Sequence, residues 1–79
     1  MTELRQQILE CIAEIAPEAS LDTLDGGADL REELDLDSMD FLNVLIAIKQ
    51  ATGVEVPERD YPQVRTLDAM VEYVATARH

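Results

Sequence analysis

Few side chains in this sequence are equipped for covalent chemistry, and most of those have a plainer role. The one histidine, His79, stands at the end of the sequence and reads as a solvated tail. The one cysteine, Cys11, falls on an apolar stripe and reads as a small buried hydrophobe rather than a nucleophile. A single cysteine also excludes an internal disulfide framework and a cysteine-ligated zinc site. Asp and Glu number 17, but a catalytic carboxylate pair needs a pocket that pushes two pKa values apart. Such a pocket is hard to build in 79 residues, so these acids read mainly as a solvated face. The densest run is Asp35-Leu36-Asp37-Ser38-Met39-Asp40. An EF-hand loop beginning at Asp35 needs a glycine where Asp40 stands, an oxygen ligand where Met39 stands and a glutamate where Ile46 stands. That match fails, leaving only loose association with divalent cations. An enzyme is not expected.

Ser38 remains. It follows Asp37, a residue type that caps helices, and it closes a long acidic segment. An ordinary first-turn serine has this position and no function. The same position also suits a phosphorylated or phosphodiester-bearing serine. Unsatisfied N–H groups and the positive end of the helix dipole lie close by, and an enzyme can reach an exposed first turn. Position alone favours the ordinary serine.

The elements that hold Ser38 follow from hydrophobic periodicity. Leu4, Ile8, Cys11, Ile12 and Ile15 fall on one face of a helix from about Thr2 to Ala16, with Thr2 able to cap it and Pro17 ending it. From Pro17 to Leu36 the chain holds Gly26, Gly27 and many acids, with apolar anchors at Leu21, Leu24, Leu30, Leu34 and Leu36. The recurring leucines predict a pinned loop, with one helical turn at Leu30 and Leu34. A second helix spans Ser38 to Thr52, capped by Asp37 and stopped by Gly53. Its core face is expected at Phe41, Val44, Leu45, Ile48 and Ala51. Its polar stripe is expected at Asp40, Asn43, Ala47 and Gln50, bordered by Met39 and Ile46. Pro57 and Pro62 allow at most one short turn between Val54 and Arg65. A last helix starts after Thr66, with Leu67, Met70, Val71 and Val74 inward; it runs to about Ala77, where Arg78 and His79 complement its dipole. The predicted fold is all-α: one domain over residues 1–79, a small up-down bundle of three main helices plus one short turn, with a long first loop.

Composition narrows the partners. Apolar residues make up 47% and aromatics 4%, with Leu, Ile, Val and Ala dominant, which suits packed helices and argues against disorder. The formal charge is −11. Nucleic acid and anionic membranes call for the opposite sign, so the natural partners are proteins with basic patches, or cations. No apolar run approaches a membrane span or a signal peptide, so the expectation is a cytoplasmic monomer with no membrane insertion.

Leu34-Asp35-Leu36-Asp37-Ser38-Met39-Asp40 resembles the D-S-L-[DE] phosphopantetheine motif of acyl carrier proteins. The likeness extends over essentially the whole chain: the first helix stripe, the long loop, the motif at a helix start, the Val54-Glu55-Val56-Pro57 exit and the Thr66-Leu67 start. The tetrapeptide alone is a weak signal; in this position and in an acidic chain of this length it is a strong one. The resemblance implies that Ser38, beside Asp37, carries a covalent 4′-phosphopantetheine made from coenzyme A, whose thiol holds acyl groups as thioesters. It implies a phosphopantetheinyl transferase and acyl-loading, acyl-transferring or condensing enzymes of lipid or secondary metabolism as partners, with the acyl chain as covalent cargo. It places partner contacts at Asp37, Met39, Asp40, Asn43, Ile46 and Gln50. Two departures stand out. Asp35 occupies a position where many carriers have glycine, and left-handed backbone is more accessible to Asp than to most residues. Asn43, Lys49 and Gln50 stand where fatty-acid carriers usually present further acids, which points to a specialised pathway. The alternative reading is a helical protein–protein interaction module that is never modified.

Overall fold

A computed structural model describes residues 2–17, 21 and 24–78. Helix α1 (Thr2–Ile15) carries the expected stripe inward: Leu4, Ile8, Cys11 and Ile12 are buried and Ile15 is half-buried. Thr2 is its first helical residue; the Thr2 side chain, expected to cap the helix, lies outside the described residues, as does His79.

The long loop is pinned as its leucines predict. Leu30 and Leu36 are buried, and Leu21, Leu24 and Leu34 pack against the core. Leu30–Glu33 forms the single turn α2. The loop is also stitched to the start of the last helix. The Leu30 N–H donates to Arg65 O at 2.8 Å, the Asp68 N–H donates to Gly26 O at 3.0 Å, and Asp29 and Thr66 form an isolated antiparallel bridge. A side chain at Gly26 would run into the Asp68 carboxylate and the Arg5 guanidinium, which pair at 2.7 Å across the two terminal helices. Glycine there leaves room for this ion pair; a larger residue would have to displace its two flexible ends.

Helix α3 (Ser38–Thr52) starts on Asp37, whose side chain accepts the Asp40 N–H at 2.8 Å. It stops at Gly53, which adopts φ 80° in the left-handed region. Phe41, Val44, Leu45 and Ile48 are buried as expected. The face is rotated from the predicted one. Ala51 is exposed rather than in the core, and Ala47 packs against the core rather than lying in a polar stripe. Alanine is too small to bias a helix face strongly, so its larger neighbours decide the rotation.

The segment after α3 holds more structure than its prolines suggest. Val54 and Val56 are buried, and a 3-10 helix covers Glu58–Val64 with Pro62 inside it, where a single short turn was expected. A 3-10 helix of this length is uncommon. Side chains hold it in place: the Tyr73 hydroxyl donates to Asp60 Oδ2 at 2.6 Å, and Phe41 meets Tyr61 edge to face with centroids 6.0 Å apart. Helix α4 (Leu67–Ala77) is capped by Thr66, whose hydroxyl accepts the Ala69 N–H at 3.1 Å, and buries Leu67, Met70, Val71 and Val74. The fold is the expected small all-α bundle, with α1, α3 and α4 around one core of mostly aliphatic side chains.

Candidate functional site

Ser38 is exposed on the first turn of α3, and the chain reaches it through a tightly specified turn. Asp29 caps α2: its Oδ1 accepts the Arg31 N–H at 2.9 Å and the Glu32 N–H at 3.4 Å. Its Oδ2 pairs with the Arg65 guanidinium at 2.8 Å. Burial alone would raise the Asp29 pKa; the two backbone N–H groups and Arg65 outweigh it and hold the carboxyl below its ordinary value. Asp35 adopts φ 53°, the left-handed conformation that its position demands. The Leu36 N–H donates back to Arg31 O at 2.9 Å and buried Leu36 anchors the turn. The chain thereby returns on itself, and Arg31 Nη2 donates to Ser38 Oγ at 3.2 Å. Periodicity gives no signal for this contact, because it depends on the turn at Asp35.

A phosphodiester suits this setting. The hydroxyl is exposed, sits at the positive end of a 15-residue helix and lies beside a guanidinium. The Asp37 carboxylate makes no hydrogen bond to Ser38 Oγ; it holds the first turn by accepting the Asp40 N–H.

The expected partner residues separate. Met39 and Ile46, 69% and 45% exposed, lie on the outer face with Leu42, which is 42% exposed and which sequence periodicity did not single out. These three recur at intervals of three and four residues and make one apolar ridge. Asn43 is exposed beside it, whereas Asp40 is half-buried. Gln50 is exposed and adjoins two hollows, one shared with α1 and one toward the 3-10 helix. The second hollow is a groove of about 620 Å³ whose apolar walls are Leu42, Leu45, Ile46, Val56, Pro57 and Tyr61. The Lys49 ammonium and Glu55 carboxylate meet beside this groove at 2.6 Å. The hydrogen bond from Lys49, reinforced by its charge, holds Glu55 below the ordinary glutamate range.

Cys11 is buried in α1 as expected. Burial, then the nearby charges of Glu14 and Glu10, push its thiol pKa up. Among the described residues no helix is long and apolar enough to cross a membrane, and no group of three or more His, Cys, Asp or Glu is placed to hold a metal ion.

An acidic helical bundle that offers one exposed serine at the head of its central helix has the form of a small protein that carries a group on a side chain. Residues 6–74 match the family model described as a phosphopantetheine attachment site, and the chain belongs to that family. It is similar to the acyl carrier protein of Rubrobacter xylanophilus, with 32% identity covering 91% of this chain and 88% of the relative. The acyl carrier protein of Acidothermus cellulolyticus is 30% identical over 92% of this chain and 90% of its own. A mitochondrial acyl carrier protein of Neurospora crassa is 36% identical over a shorter span, 60% of this chain and 35% of the relative. The chain is thus an acyl-carrier-type protein with a 4′-phosphopantetheine prosthetic group. The arm supplies the thiol that holds acyl groups. Membership in this family also implies working contacts with a phosphopantetheinyl transferase and with acyl-handling enzymes.

Proposed function

We propose that Ser38 is the attachment point of the phosphopantetheine arm, and that residues 1–79 act as one carrier domain for acyl groups in a specialised biosynthetic pathway. The observation that carries the first part is the exposed Ser38 hydroxyl at the head of α3, next to the Arg31 guanidinium. The protein itself leaves the cargo unchanged; loading, transfer and condensation belong to its enzyme partners. Support for a specialised pathway comes from the docking face. Asn43 and Gln50 are neutral, Lys49 is already paired with Glu55, and Met39, Leu42 and Ile46 form an apolar ridge. Such a face favours a dedicated partner that reads apolar shape over one that reads a row of acids.

Intact mass after incubation with coenzyme A and a phosphopantetheinyl transferase tests the attachment. The wild-type chain should gain one pantetheine adduct. Ser38→Ala should stay folded and gain none, because an exposed first-turn hydroxyl contributes little to stability. An adduct on Ser38→Ala places the arm elsewhere. No adduct on either protein favours an unmodified interaction module.

A further inference from the structure

Arg31 is used in an unusual way. It is a cation in an acidic segment: Glu32, Glu33, Asp35 and Asp37 are all exposed around it. Yet the ion pairs among the described residues involve Arg5, Lys49 and Arg65, and the Arg31 guanidinium instead donates to a neutral hydroxyl, Ser38 Oγ, at 3.2 Å. A guanidinium in water gains little from one hydroxyl when carboxylates are close by.

The backbone explains why Arg31 stays there. Its N–H is held by Asp29 Oδ1, and its carbonyl accepts the Leu36 N–H across the left-handed turn at Asp35. Asp29 is fixed in turn by Arg65, and the neighbouring Leu30 is buried. The backbone positions of both residues are therefore set by the fold before any group is attached to the serine.

We propose that Arg31 is the built-in counter-ion of the phosphodiester carried on Ser38. The inference rests on Ser38 being the attachment residue. A phosphodiester adds one negative charge to a chain already at −11, on a helix turn that also holds Asp37 and Asp40. A planar guanidinium beside Oγ lies within reach of the non-bridging oxygens and offers them paired donors. It offsets the added repulsion and restrains the root of the arm against α2. Arg31 thus makes the modified state electrostatically tolerable and biases the direction in which the arm leaves the protein.

The test compares apo and holo forms of wild type, Arg31→Gln and Arg31→Lys, each loaded with coenzyme A and a transferase and checked by intact mass. Melting temperatures are read at low ionic strength, where surface charges are least screened. For wild type the holo value should match or exceed the apo value. For Arg31→Gln the holo-minus-apo difference should become more negative by about 2–4 °C, the size expected for losing one exposed charge pair in a domain this small. Arg31→Lys should fall between them, keeping the charge without the planar fork. The phosphorus NMR resonance of the holo protein should move in Arg31→Gln. Equal melting shifts in apo and holo forms, with an unmoved resonance, overturn the counter-ion role and leave Arg31 as a fastener of the turn. A wild-type chain that takes no adduct, or an adduct that survives Ser38→Ala, overturns the attachment reading and this inference with it.

Discussion

The Lys49 ammonium and the Glu55 carboxylate lie 2.6 Å apart, linking the end of α3 to the segment that follows it. From sequence, Lys49 stands as a like charge against any enzyme that expects acids on this helix. The pair changes that account. Much of the Lys49 charge is already offset within the protein, so rejection of a general partner rests more on the missing acids than on an added cation.

Replacing Asn43, Lys49 and Gln50 together by glutamate should raise the rate at which a general fatty-acid enzyme loads or uses this carrier, with a steeper salt dependence. It should also lower the melting temperature, because the carboxylate introduced at position 49 then faces Glu55. Initial rates on both proteins, at low and moderate salt, decide the matter. Equal rates, or a wild type that already performs like an ordinary fatty-acid carrier, sink the specialised reading.

Changing both Met39 and Ile46 to alanine should cost the dedicated partner roughly 10- to 30-fold in kcat/KM, the loss of a small apolar hot spot. Both side chains are exposed, so the melting temperature should barely move. A double variant that keeps full turnover with its partner places docking elsewhere.

Asp37→Ala removes the acceptor of the Asp40 N–H and should destabilise the fold by about 1 kcal/mol. In a domain of this size that is a fall of roughly 4–8 °C. Asp37→Asn, which can still accept, should lose much less. Thermal unfolding followed by circular dichroism distinguishes the two, and equal losses would show that charge rather than capping matters.

Folded Asp29 releases its proton more readily than the unfolded carboxyl, because two backbone N–H groups and Arg65 outweigh the effect of burial. Its stabilisation is therefore complete above the unfolded value near pH 4 and is lost as the pH falls through the lower folded value. The melting-temperature gap between wild type and Asp29→Asn should be constant near neutrality and narrow in acid. A gap unchanged down to about pH 2 contradicts this assignment.

Asp22, Asp25, Asp29, Glu32, Glu33, Asp35, Asp37 and Asp40 share their segment with one base, Arg31. Raising NaCl to about 0.1 M shortens the Debye length to about 10 Å and should raise the melting temperature. Mg²⁺ should raise it further by screening alone. A flat or falling curve would mean that self-repulsion is unimportant here.

Much of this molecule is legible from residue type. Asp37, Gly53 and Thr66 mark helix ends by well-understood local chemistry, and Asp35 is a residue that tolerates the left-handed turn it makes. The stripes of α1 and α4 are narrow enough to fix their buried faces. Helix α3 is different, because apolar residues occur almost all round it; periodicity puts Leu45 inward, but it misplaces the small residues Ala47 and Ala51 and does not single out exposed Leu42 as part of a surface ridge. The length of the 3-10 helix depends on Tyr73 reaching Asp60, thirteen residues away, and the place of Arg31 depends on a turn. Contacts made through folding leave no local pattern to read.

The burial of Cys11 has a bearing on the cargo. An acyl thioester can move to any second thiolate that reaches it, and such a transfer would strand the acyl group on the protein. Cys11 is only 4% exposed, at the wall of the hollow between α1 and α3, and burial with the charges of Glu14 and Glu10 raises its thiol pKa and so lowers its thiolate fraction. The prosthetic sulfur therefore meets little competition from the chain's own thiol. Acyl groups are thereby kept on the sulfur that partner enzymes are built to find.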